Sequence, residues 1–182
     1  MENDRPGPTL TLSVGGVALK DQKVLLVRRS SAGREGDWQI PGGFVDPGET
    51  LAASVRREVF EETGVEGTVL GLLAVLNRVS EEENNTYVVF LLSSDQSSAV
   101  PDGHEVDAAE FFSLGQLSTL PRLQALSELL ARCALSTPPV VFPAYRHRRI
   151  PSESAVLCVG DNAGGQIDSL SHLLWYESRI PG

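Results

Sequence analysis

The apolar positions of this chain follow two periods. Residues 9–19, TLTLSVGGVAL, are rich in Thr, Leu and Val and predict a strand. Asp21-Gln22-Lys23 makes a turn, and Val24-Leu25-Leu26-Val27 suits a second strand paired back on the first. Residues 30–37 read as a polar, glycine-bearing loop; Trp38-Gln39-Ile40 leads into Pro41-Gly42-Gly43, and Asp46-Pro47-Gly48 makes another turn. The period then becomes helical. Leu51, Val55 and Val59 recur at i, i+4, i+8 with no internal Pro or Gly, and Gly64 stands where a helix cap is needed. Residues 65–79 and 86–92 predict strands separated by an acidic loop at 81–85. Residues 105–112 predict another strand, followed by a short turn at Leu114–Leu117. Leu123, Leu126, Leu129 and Leu130 predict a second amphipathic helix over 121–134, with Pro121 near its start. Strands on both sides of one strong helix, with a second helix late in the chain, argue for a mixed α/β domain layered as an α/β/α sandwich.

Composition narrows the class. The chain has 182 residues, 41% apolar and 21% charged, which excludes a wholly disordered protein and suits one domain with an appendage. The expected division is a polar N-terminus (1–8), a core domain (9–137) and a C-terminal extension (138–182) set off by Thr137-Pro138-Pro139. Two distant cysteines, Cys133 and Cys158, point to a reducing, cytoplasmic setting, and no apolar run is long enough to span a membrane. A net charge of −9 disfavours nucleic acid as a partner. The extension carries two apolar runs, at 155–159 and 173–176, and the basic cluster Arg146-His147-Arg148-Arg149. Such runs are costly to leave in water, so they are expected to pack on their own core or on a second copy in a homodimer.

The chemistry concentrates on the first helix. Glu58, Glu61 and Glu62 span an arc of about 100°, beside the stripe of Leu51, Val55 and Val59. Like charges at i, i+3 and i, i+4 repel, and a divalent cation would offset the repulsion. An all-oxygen donor set with no His or Cys at hand suits Mg²⁺, or Mn²⁺ as the alternative, rather than Zn²⁺.

The segment GFVDPGETLAASVRREVFEETGV, residues 43–65, resembles the Nudix box of the Nudix (MutT-like) hydrolases. That pattern is filled here by Gly43, Glu49, Arg57, Glu58, Val59, Glu61, Glu62, Gly64 and Val65, with no departure. A weaker resemblance extends over residues 9–134. It implies a loop–helix–loop on a small α/β/α sandwich and a metal-dependent hydrolase acting on nucleotide pyrophosphates. It further implies that Glu58, Glu61, Glu62 and the carbonyl of Gly42 serve the metal, and that Glu105 acts as general base, with Glu58 and Glu61 as rivals. Gly43, Glu49, Arg57 and Gly64 are then structural, Arg57 pairing with Glu49 to hold the loop against the helix. Arg28, Arg29 and Trp38 are the candidate substrate-binding residues. One of the arginines would meet phosphate, a solvated pair being the alternative, and the indole would either stack on a base or fill the core.

Substrate markers outside the box are mostly missing. Where many ADP-ribose pyrophosphatases of the family carry a proline, this chain has Ser80, Glu81 and Glu82, and the arrays of NADH and coenzyme A pyrophosphatases are absent or partial. The expected substrate is a nucleoside diphosphate linked to a further moiety: ADP-ribose-like, a dinucleotide or a nucleotide sugar. Two alternatives stay open: a (d)NTP pyrophosphatase that sanitises the nucleotide pool, and a non-catalytic nucleotide sensor.

Overall fold

The structure, a computed structural model, describes residues 9–81, 83–135 and 154–158. Its strands are β1 (Thr9–Lys20), β2 (Lys23–Arg29), β3 (Trp38–Gln39), β4 (Gly42–Phe44), β5 (Thr68–Val79), β6 (Glu83–Ser93), β7 (Val106–Ser113) and β8 (Ser154–Cys158). The helices are α1 (Leu51–Thr63), α2 (Leu114–Leu117) and α3 (Ala125–Leu135). The strands form one mixed sheet in the order β3-β2-β1-β6-β5-β8, with β4 also on β1 and β7 also on β2. The β1–β6 pairing is parallel and the others are antiparallel.

Alternation along the strands sorts side chains to the two helices, as a period of two requires. Val14, Ala18, Leu25, Val88 and Leu92 face α1, where Val55 and Val59 are buried against them. Val17, Val24, Leu26 and Val89 face the other way, onto Leu130, Ala131 and Ala134 of α3. Helix on sheet on helix is the expected sandwich. Gly16 allows the close approach of α1, because a Cβ there would lie 2.6 Å from Val59 Cγ2.

The hairpin partners β1 and β2 pair only at its end, Leu19 opposite Val24 and Lys20 opposite Lys23. Beyond that they splay, and residues 38–44 fill the gap: β3 pairs with β2, and β4 pairs with β1. The sequence suggests only a connecting stretch here. Its residues become strands because the edges exposed by the splay need backbone partners.

Three other expectations are corrected. Residues 83–85 are not loop but the start of β6, since the long parallel partner β1 extends back to Thr9 opposite Glu83. Thr11 donates to Glu83 Oε1 at 2.9 Å, and Asn85 donates to Thr11 at 2.8 Å. Leu114–Leu117 is a short helix whose Ser113 and Gln116 form a capping box. The last helix begins at Ala125 rather than 121, because the Arg122 carbonyl accepts from Trp38 N and Gln124 N donates to the Trp38 carbonyl. Those two bonds require extended backbone at Leu123.

Within the extension, β8 lies antiparallel along β5, with Ala74 opposite Cys158 and Arg78 opposite Ser154. The basic cluster at 146–149 and the apolar run at 173–176 lie outside the described residues. No helix among the described residues is long and apolar enough to cross a membrane.

Candidate active site

Helix α1 carries the box, and its ends are fixed locally. The Thr50 side chain accepts from Ala53 N, and Gly64 takes the left-handed conformation (φ 65°) while its N–H donates to the Phe60 carbonyl. With Val55 and Val59 pinned to the sheet, the three glutamates are graded by depth. Glu62 is 3% exposed, Glu58 is partly buried, and the Glu61 side chain is 57% exposed.

Arg57 organises the helix against the preceding loop. Its Nε and Nη2 donate to the two Glu49 carboxylate oxygens, each at 3.0 Å, and Nη2 also donates to the Phe44 carbonyl at 3.2 Å. The expected Arg57–Glu49 pair is therefore present and bidentate, the strongest geometry such a pair can take. Arg57 Nη1 donates to Glu58 Oε1 at 2.7 Å and to Glu61 Oε2 at 3.0 Å. These bonds raise the Arg57 pKa, with Glu49 the largest cause, and the guanidinium holds Glu49 below the usual carboxylate range. The repulsion within the glutamate cluster is thus offset partly by Arg57, which reaches Glu61 at the i, i+4 spacing of α1 and Glu58 beside it.

The β4 strand brings two glycines onto the carboxylates. Gly42 N donates to Glu62 Oε2 at 3.0 Å. A Cβ on Gly43 would sit 2.5 Å from Glu58 Oε2, and a Cβ on Gly42 would run into the Val14 carbonyl. At Gly42 the obstacle is the backbone of β1, which cannot yield; at Gly43 it is the end of the Glu58 side chain, which a Cβ would displace.

Arg29 and Glu105 close the other side. Arg29 ends β2, and the β2–β7 register shifts between Arg28 and Arg29, which pair with Ala108 and Val106. Such a bulge re-aims side chains. Arg29 Nη1 stands 3.6 Å from Glu62 Oε1 and 3.6 Å from Glu105 Oε2. The backbone of Glu105 is fixed by Ser30 N, which donates to its carbonyl at 2.9 Å. The turn around it is built on Asp102, whose Oδ1 accepts from the backbone N–H groups of His104, Glu105 and Val106 at 2.8, 3.1 and 3.1 Å. Burial opposes the Asp102 charge, yet these three donors keep its carboxyl below the ordinary value. Neither Asp102 nor its turn stands out in the sequence; an Asp two to four residues before the N–H groups it caps is the one available signal.

The other two substrate candidates do not join this group. Trp38 is 5% exposed and packs edge-on against Phe112, with ring centroids 5.0 Å apart, so the core role prevails. Arg28 lies over the Trp38 ring and donates to Asp107 Oδ1 at 2.7 Å. Adjacent strand residues point to opposite faces, so only one of the two arginines can meet the glutamates.

Burial pushes the Glu62 carboxyl up to about 8; the Gly42 N–H and Arg29 oppose the shift, and Glu58 and Glu105 add to it. Burial likewise raises Glu58, with Arg57 opposing and Glu61 and Glu105 assisting. Glu62 Oε1 is buried with no hydrogen-bond partner, as is Arg29 Nε. Among the described residues no three His, Cys, Asp or Glu side chains converge into a closed cation cage. A hard divalent ion does not need one, since Mg²⁺ commonly takes one or two carboxylates and fills its shell with water and substrate phosphate. The orphaned Glu62 oxygen beside Glu58, in an all-oxygen setting, fits such an ion.

Comparison with known proteins agrees with this architecture. The chain is 34% identical over 110 residues to an ADP-ribose pyrophosphatase of Methanocaldococcus jannaschii, covering 60% of this chain and 65% of that one. It is 30% identical over 118 residues to a NAD-capped RNA hydrolase of Chromobacterium violaceum, covering 65% of this chain and 44% of that one. It therefore spans less than two thirds of the length of these relatives. The crystal structure of a MutT protein from Methanosarcina mazei is similar with a TM-score of 0.59 at 26% identity, over 69% of this chain and 92% of that one. The NUDIX domain model matches residues 9–133, more than half of the chain. With the box intact on α1 and the sandwich around it, the chain belongs to the Nudix family.

Proposed function

We propose that the protein is a metal-dependent hydrolase that cleaves the pyrophosphate bond of a nucleoside diphosphate linked to a second moiety, ADP-ribose-like compounds, dinucleotides and nucleotide sugars being the favoured class. The observation that carries this reading is Glu62: a buried carboxylate with one oxygen bonded to the Gly42 N–H and the other without a hydrogen-bond partner, next to Glu58 and facing Arg29. A buried, incompletely satisfied carboxylate is costly for a fold to keep, and such costs collect at functional sites. The names of the relatives, among them an ADP-ribose pyrophosphatase, support the same class of reaction.

In this reading Glu58 and Glu62 hold the ion, with Glu61 completing its shell directly or through water and the Gly42 carbonyl as a further donor. When bound, the ion supplies charge neutralisation on the phosphates and a lowered pKa for water. Glu105, whose side chain is mostly exposed, accepts the proton from the attacking water, with Glu58 as the alternative base. Arg29 faces the same space with a guanidinium that is always charged. Arg57 bears on the reaction indirectly, by keeping Glu58 and Glu61 in place.

Relatives named as hydrolases of NAD-capped RNA keep a nucleotide on an RNA end among the substrates to be tried, despite the acidic charge of this chain. A panel of ADP-ribose, dinucleotides, nucleotide sugars, dNTPs and NAD-capped RNA, assayed with Mg²⁺ and with EDTA, tests the proposal. Magnesium-dependent release of a nucleoside monophosphate from the first three groups is expected. Release from dNTPs alone would transfer the reading to pool sanitation, and no release from any member would leave the ligand sensor.

A further inference from the structure

The two arginines that touch the glutamate cluster hold it in different ways. Arg57 makes short, directional bonds to Glu49, Glu58 and Glu61. Arg29 makes none to a carboxylate. Its Nη1 stands 3.6 Å from an oxygen of Glu62 and 3.6 Å from an oxygen of Glu105, too far for hydrogen bonds. Its side-chain hydrogen bond goes instead to Ser31 Oγ, at 3.2 Å. Its buried Nε and the buried Glu62 Oε1 both lack a hydrogen-bond partner. The guanidinium therefore neutralises two carboxylates from different parts of the fold, α1 and the turn before β7, without using up the Glu62 oxygen.

We propose that Arg29 is a positioning residue, the resident counter-cation of this site: it keeps Glu62 and Glu105 together while no metal is bound, and withdraws from Glu62 when a divalent ion arrives. This rests on the proposed reading of Glu58 and Glu62 as ion ligands. Glu58 and Glu105 both bear on Glu62 as like charges, and Glu105 bears on Glu58 as well. Without a cation among them they would repel. A guanidinium cannot lose its charge, so Arg29 is a fixed cation standing between Glu62 and Glu105 until an ion replaces it. Once a doubly charged ion sits on Glu62, the same guanidinium is a like charge a few ångströms away, and it has few directional bonds to break before it moves. Arg29 thus competes with the ion for one carboxylate while preserving that carboxylate for it.

The test is Mn²⁺ binding, followed by electron paramagnetic resonance on the full chain without substrate, for wild type, Arg29→Gln and Arg29→Lys. Glutamine removes the charge, and loss of a competing cation at this distance should tighten Mn²⁺ binding by at least about tenfold. Lysine retains the charge and should stay within about threefold of wild type, or about 0.65 kcal/mol. The melting midpoint of Arg29→Gln should fall in EDTA and recover in Mg²⁺, so that its metal-induced rise exceeds that of wild type. Equal Mn²⁺ affinity in wild type and Arg29→Gln, or weaker binding in the variant, would overturn the proposal while leaving the metal-binding reading intact. No Mn²⁺ binding to wild type would overturn both. Should Arg29→Gln fail to fold, the wild-type protein still decides: the Arg29 Nε–H resonance, assigned from its loss in Arg29→Lys, should shift on Mg²⁺ addition, and a signal that stays fixed through saturation would overturn the displacement.

Discussion

Gly43 lies so close to Glu58 that a Cβ on it would meet the carboxylate Oε2 at 2.5 Å. The glycine of the box is thus a matter of space at a working side chain. Gly43→Ala should displace the Glu58 carboxylate rather than unfold the chain, because the obstacle is the far end of a flexible side chain. Turnover should fall at least about tenfold, the cost of a small misplacement of a charged group at a reacting centre. Steady-state kinetics beside a melting curve would show the loss of rate with a modest change in midpoint, and unchanged kinetics would mean that Glu58 tolerates the shift.

Glu58→Gln and Glu62→Gln should each lower Mg²⁺-dependent turnover by about 10²-fold or more, through lost charge stabilisation. The fold should survive, since amides replace carboxyls of the same shape. Near-normal activity in both variants would remove these residues from the ligand set.

The pH dependence of the metal-free protein should report Glu62. Its folded pKa stands above the ordinary 4.5, at about 8, so the folded state binds this proton more tightly than the unfolded chain does. Stability from this group is full below about pH 4.5 and is lost as pH rises towards 8. In EDTA, wild type should lose midpoint relative to Glu62→Gln across that interval, measured by calorimetry at several pH values. Parallel curves for the two proteins would show that burial does not hold the proton on Glu62.

Arg57→Ala should cost both rate and stability. It leaves Glu49 without its bidentate partner and frees Glu58 and Glu61 together. A lowered melting midpoint alongside reduced turnover is expected, with Arg57→Lys restoring only part of each because lysine lacks the planar fork. A midpoint equal to wild type would make the pairing immaterial to the fold.

Asp102 should matter through Glu105. Three backbone N–H groups converge on one of its oxygens, which asparagine retains and alanine does not. Asp102→Asn should keep most of the activity, and Asp102→Ala should lower kcat several-fold more than it raises KM. If alanine and asparagine behave alike, the turn does not depend on this cap.

What the chain determined by itself is what depends on neighbours a few residues apart. The helix from Leu51 to Thr63, its Gly64 cap and the clustering of Glu58, Glu61 and Glu62 follow from local spacings, which are fixed wherever the segment is helical, while the Arg57–Glu49 pair was legible only through the resemblance of the box. The strand period of residues 9–27 is legible for the same reason. Tertiary structure decided everything that turns on register between distant strands. The parallel pairing of β1 with β6 drew residues 83–85 into the sheet, and the splay of β1 from β2 made strands of residues 38–39 and 42–44. The bonds from Trp38 delayed the last helix to Ala125. Alternation along β2 sends Arg28 and Arg29 to opposite faces, but which face holds the glutamates was settled by the sheet: Arg28 meets Asp107, and Arg29 meets Glu62 and Glu105. A sequence sets which face a residue takes relative to its immediate neighbours, but the element that face meets is fixed only when the whole core closes.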